Sequence, residues 1–266
     1  MRIKLLYKRG ISLFISAHSC LQKVQDGVIR MQTVDMVIRE VHAGLWFLVV
    51  GYYFFLFIFL LFFRWRKTGN PFQFAMAMFF LLLAIGRCFY FVGDFYADPQ
   101  SLTGTLSGYS PFLGESPFWL MAGAFFQWMA LALLSATAGF MIFGKRWAEI
   151  GFAIPAVGIG FVLGFIPLDA TTRVLLSGTA GAIYALFIPL LFWYLAWQSG
   201  GMLRRSNLFL GLGFFVLFAG RVIHAARYFL ADLVFGSITI PGVVAPGLIV
   251  IGLILIAAGN EWGQSP

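Results

Sequence analysis

In this chain of 266 residues, 61% are hydrophobic, 18% aromatic and only 11% charged. So few charges cannot cover so much apolar surface, which excludes a water-soluble globular protein. The net charge of +8 would point a soluble protein toward nucleic acid; here it falls in the connections between apolar runs, so the partner is a lipid bilayer and not nucleic acid.

Residues 1–36 read as a basic tail, and 37–266 as one transmembrane domain. The stretch 1–41 holds Arg2, Lys4, Lys8, Arg9, Lys23, Arg30 and Arg39, which resist export. A feeble signal sequence around Ile11–Ile15, a basic surface helix, or a natural start at Met31 or Met36 would each account for it, and the last is favoured. Seven apolar runs then follow, each about 20 residues or longer and so long enough to cross a bilayer. They cover about 43–63, 71–96, 117–143, 148–166, 174–197, 207–232 and 239–259. Period-two alternation is absent, so the expected fold is all-α with seven transmembrane helices and not a barrel.

The connections alternate in charge. Arg64, Arg66 and Lys67, then Lys145 and Arg146, then Arg204 and Arg205 follow the first, third and fifth helices. Asp98, Glu115, Asp169 and Asp232 mark the other side, with Arg173 as its basic exception. The positive-inside rule puts the first set in the cytoplasm, the N-terminus outside and the C-terminus inside. Trp46, Trp65, Trp119, Trp147 and Trp262 lie near the expected boundaries, where an interfacial belt would put them.

The second and sixth runs carry one string in common. Gly86-Arg87 leads to Phe95-Tyr96-Ala97-Asp98, and Gly220-Arg221 leads to Phe229-Leu230-Ala231-Asp232, at a constant offset of 134 residues. The first and fifth runs match more weakly, Leu56–Phe62 against Leu186–Phe192, at an offset of 130. The expected plan is a parallel 3+1+3 internal repeat, helices 1–3 and 5–7 joined by helix 4. Small carriers are one class built in this way. The paired Pro-Gln signature of such carriers is missing: Pro99-Gln100 lies in a loop, and no Gln follows Pro189.

A guanidinium inside an apolar helix is costly, so its recurrence argues for use. Residues seven or eleven apart share a helix face to within about 20°. The second helix therefore presents Arg87, Asp94 and Asp98 together, with Tyr90 nearby. The sixth presents Arg221, Tyr228 and Asp232, with His224 nearby. The stripe climbs ~16 Å toward the outer mouth, where Glu40 and His42 of the first helix, Gln127 of the third, and Asp169 and Arg173 of the fifth lie at the same level. Two readings compete: ion pairs that lock helices together, and a pocket for an anionic ligand or a proton path.

Other chemistries lack their residues. The five lysines, Lys4, Lys8, Lys23, Lys67 and Lys145, all lie outside the expected helices, which excludes a retinal Schiff base. A His-Glu-x-x-His string is absent, and Ser135 and Ser177 have no evident base. Cys20 and Cys88 make neither a disulfide framework nor a metal site. No cofactor is expected. Three functions remain: a small carrier or channel for an anionic solute or coupled to protons, a ligand receptor working through a partner, and a structural subunit beside other membrane subunits.

Overall fold

A computed structural model describes residues 40–97, 116–225 and 239–262. The described residues are almost wholly helical, and they contain no strand. The chain divides into a unit Met1–Val41, described only at Glu40 and Val41, and a unit His42–Pro266 that holds the bundle. Seven helices are long and apolar enough to cross a membrane. They are α1 (Glu40–Thr68), α2 (Pro71–Val92, continued as a π-turn over Gly93–Ala97), α3 (Ser116–Phe143), α4 (Arg146–Phe165), α5 (Ala170–Gln198), α6 (Gly201–Ala225) and α7 (Thr239–Trp262). This is the architecture of a polytopic membrane protein. The basic tail, Asp98, Tyr228 and Asp232 lie outside the described residues.

Two helices run past the expected apolar limits because long cations tolerate an interfacial turn. α1 continues from residue 63 to Thr68, with Arg64 Cζ 5.3 Å above the Phe59 ring and Arg66 Cζ 5.2 Å above Phe62. α6 opens at Gly201 rather than at 207 and carries Arg204 and Arg205 exposed in its first turns. The connections at this basic end are tight, and each turns on a glycine at positive φ: Gly69 (64°), Gly144 (62°) and Gly201 (59°). After Gly69, Asn70 caps α2 by accepting from the Phe72 amide at 2.9 Å, and Pro71 takes the first helical position.

Small residues spaced by seven set the closest helix contacts. On α6, Ser206, Gly213 and Gly220 face Ala245, Gly252 and Gly259 of α7. A Cβ added at Gly252 would lie 2.6 Å from the Leu217 nitrogen, and one at Gly220 would lie 2.7 Å from the Ala245 oxygen. On α2, Gly86 and Gly93 do the same against α3: a Cβ added at Gly86 would lie 3.0 Å from the Gly123 oxygen. Seven-residue spacing is the left-handed, knobs-into-holes period, and small side chains let the backbones touch. In α4 the turn before Pro155 is tied to its neighbours instead. The Phe152 carbonyl accepts from Ser135 Oγ of α3 at 3.0 Å and from the Tyr184 hydroxyl of α5 at 3.1 Å.

The buried core draws on all seven helices, and its aromatic centre lies between α2, α5 and α6. Phe79 packs edge-on to Phe214, Phe192 stacks on Phe214, and Phe72 meets Phe192. α1 contributes a heptad stripe, Trp46, Val49, Tyr53, Leu56 and Leu60, all buried. That stripe overturns one expected alignment. Leu56 is 0% exposed whereas Leu186, its partner at offset 130, is 57% exposed, so the two face opposite environments. Apolar helices resemble one another in composition, and only the buried face carries register.

Candidate functional site

The polar residues of three helices meet near the end where α1 begins. On α1, His42 and Trp46 are one turn apart, and the indole Nε1 donates to His42 Nε2 at 2.9 Å. Trp46 was expected in an interfacial belt; it is instead only 2% exposed, because it is the aromatic floor under an arginine. Arg87 Cζ stands 3.2 Å from the Trp46 ring centroid and 5.8 Å from that of Tyr90. The Arg87 side chain is 6% exposed, and its Nη2 lies 3.8 Å from Asp94 Oδ2. Stacking and an ion pair are how a buried guanidinium is made tolerable in an apolar setting.

The helix seams aim these groups. Gly86 is pressed on α3, so Arg87, one residue and 100° further around, turns off that contact. Gly220 is pressed on α7, and Arg221 turns off that one in the same way. Arg221 hydrogen-bonds through Nη2 to Gln127 Oε1 on α3, and Gln127 in turn packs its Cγ beside Gly86. Both guanidiniums act electrostatically on the hydroxyls of Tyr53 and Tyr90. The two arginines thus serve one neighbourhood.

His224 closes the group from α6. Its ring centroid is 4.5 Å from that of Trp46 and 6.1 Å from that of His42, while His42 lies 5.3 Å from Phe95. The start of α7 passes alongside, with Gly242 near His42. His42 Nε2 accepts a hydrogen bond, so it carries no proton in this arrangement.

Of the residues singled out from sequence, the structure brings together His42, Arg87, Tyr90, Asp94, Arg221 and His224. Glu40, in the first unit, is exposed. Asp98, Tyr228 and Asp232 are outside the described residues. Asp169 is taken up in capping α5, accepting from the Thr172 amide at 2.9 Å, while Arg173 acts electrostatically on Tyr90. Trp46 and Tyr53 are members that a stripe search on α2 and α6 alone misses. Their signal is the heptad spacing from His42 through Trp46, Val49 and Tyr53. Comparison with known protein families, with curated proteins and with solved structures finds no match to this chain. Its own residues therefore carry the functional argument.

The Arg87–Trp46 stack gives a first expected result. Trp46→Leu removes the ring, and thermal unfolding in detergent registers a loss of about 1–2 kcal/mol. Trp46→Phe, which keeps an aromatic face, recovers part of it.

Proposed function

We propose that this chain is a small carrier or channel for an anionic solute, with its site at the Arg87–Arg221 cluster opening to the outside. The observation that carries this reading is an imbalance. Arg87 has both an aromatic face and the Asp94 carboxylate, whereas Arg221 has the neutral Gln127 and no carboxylate within ion-pair distance among the described residues. A cation held inside a membrane domain by a neutral amide is set up to receive an anion, and guanidinium geometry favours a carboxylate or phosphate group. Arg87 is then the anchor of the site and Arg221 its ligand arm. The outward opening rests on the positive-inside rule, applied to the connections that carry Arg64, Arg66, Lys67, Lys145, Arg146, Arg204 and Arg205.

The parallel 3+1+3 plan belongs to the same reading. Gln73, Met76, Ala77, Phe79, Phe80, Leu83, Ala84 and Gly86 of α2 are buried, and so are Asn207, Leu210, Gly211, Gly213, Phe214, Leu217, Phe218 and Gly220 of α6, each 134 residues on. Contacts between the two triplets also come in exchanged pairs. Gln127 of α3 meets α6 at Arg221, and Asn260 of α7 meets α2 at Gln73. Trp46 of α1 meets α6 at His224, and Phe192 of α5 meets α2 at Phe72. A two-fold relation between triplets produces such pairs, and it supplies two similar bodies that can rock about a shared site.

A second reading keeps the same cluster as internal glue in a larger complex, and the Arg87–Asp94 ion pair favours it. A thermal-shift series on purified protein separates the readings, using small carboxylates, phosphate and sulfate. A stabilising anion at 100 times its Kd adds about 2.7 kcal/mol. That gain is expected in wild type and absent in Arg221→Gln, which still folds although it loses the Gln127 hydrogen bond. Counterflow of the same anion in proteoliposomes then marks a carrier, and stabilisation without flux marks a receptor. No stabilisation by any anion overturns the proposal and leaves the structural subunit.

A further inference from the structure

A second polar layer lies toward the basic end, built from Gln73 of α2, Ser206 and Asn207 of α6, and Asn260 of α7. All four are buried. Their donors are assigned: Gln73 Nε2 to Asn260 Oδ1 (3.4 Å), Asn260 Nδ2 to the Ile256 carbonyl (2.9 Å), Ser206 Oγ to the Gly259 carbonyl (2.6 Å) and Asn207 Nδ2 to Ser199 Oγ (3.4 Å). One fully buried acceptor is left over. Gln73 Oε1 is buried and receives no hydrogen bond among the described residues, in a side chain only 5% exposed. A buried amide oxygen without a donor costs stability, and it is retained where a donor arrives from outside the fold.

Position ties this layer to the arginines. Gln73 lies fourteen residues before Arg87, and Asn207 lies fourteen before Arg221, which is two heptads or ~21 Å along the same helix face. Halfway between, at the intervening heptad position, stand Phe80 and Phe214, both fully buried and joined through Phe79, whose ring centroid lies 5.0 Å from that of Phe80 and 5.7 Å from that of Phe214. Each of the two helices thus repeats the order amide, phenylalanine, guanidinium. Polar stations separated by an aromatic constriction are the arrangement of a pathway that gates by excluding water.

We infer that the Gln73–Asn207 layer is a second binding station, on the cytoplasmic side of a Phe80–Phe214 barrier, for a hydrogen-bond donor: water, or the donor groups of the solute. It rests on the carrier reading above. Its ligand chemistry is complementary to that of the outer site, which offers donors to an anion, whereas Gln73 Oε1 offers an acceptor.

The test uses the full chain in proteoliposomes, with Cys20 and Cys88 changed to serine, and an impermeant sulfonate thiol reagent added on the basic-end side. Asn207→Cys is expected to label to completion and Leu217→Cys, beyond the barrier, to stay unlabelled. Adding Phe214→Ala to Leu217→Cys opens it to the reagent. Gln73→Leu dries the layer and suppresses labelling at Asn207→Cys. If Asn207→Cys fails to fold, Ser206→Cys replaces it. An inert cysteine in a folded protein shows a dry layer and overturns the station; labelling of Leu217→Cys with Phe214 intact overturns the barrier. Since no solute is added, the result is independent of anion binding at Arg221. A reactive Asn207→Cys beside an anion-blind protein would remove the anion site alone, and an inert one beside an anion-responsive protein would remove this station alone.

Discussion

Gly252→Ala is expected to destabilise the bundle by about 3 kcal/mol, near the upper end for overpacking, and to part α6 from α7. The added methyl carbon would lie 2.6 Å from the Leu217 nitrogen, 2.7 Å from the Gly213 oxygen and 2.9 Å from the Leu217 Cα. All three are backbone atoms, so no side-chain rotamer can relieve the overlap and the two helices must separate. Separation loosens the whole seam, because the reciprocal side is as tight: a Cβ added at Gly213 would lie 2.9 Å from the Gly252 oxygen. Gly247→Ala, on the same helix, is the matched control. Its new carbon meets nothing within 4 Å, and alanine's better helix propensity stabilises by up to about 1 kcal/mol. Thermal unfolding in detergent that ranks the two variants alike would refute the seam. Lipid supplies no hydrophobic drive between helices, so a close backbone approach is where a membrane bundle is most sensitive to one carbon.

How much of this was legible beforehand differs by element. Helix number and approximate limits were, because a run of twenty apolar residues in a chain this poor in charge has few other uses. The second and sixth helices offer the stronger alignment, because glycine and arginine in an apolar run are rare enough to suggest a register. The first and fifth offer less. Their match rested on leucine and phenylalanine, which lipid-facing and core-facing positions share, and Leu56 and Leu186 proved to face opposite ways. Shifting that alignment by one residue sets Tyr53 on Tyr184 and Leu60 on Leu191, all four buried. Tryptophan near a helix end reads as interfacial, so the sequence alone places Trp46 in that belt. That rule carries no information about an arginine on another helix needing an aromatic face. The inner amide layer was invisible for a similar reason: Gln73, Asn207 and Asn260 are ordinary near a helix end until their burial is known.

Asp94→Ala is expected to cost about 3–5 kcal/mol, since it leaves the Arg87 guanidinium buried without its counter-charge. Arg87→Met alone should cost somewhat less, because it strands a carboxylate nearer the helix end, whose side chain is 18% exposed. The double variant Arg87→Met/Asp94→Leu removes both charges and keeps the volume. It should recover most of the loss, falling short by the Trp46 stack that methionine only partly replaces. Such a cycle measures the coupling between the two groups and not the worth of either. Its further use lies in the anion response. If Arg87 is an anchor and Arg221 the ligand arm, the double variant folds and is still stabilised by the same anion, only more weakly, as a site with one guanidinium in place of two should be. A double variant that folds fully and has lost all response would make Arg87 a direct ligand. The pair with Asp94 would then be a resting state that the incoming anion has to break.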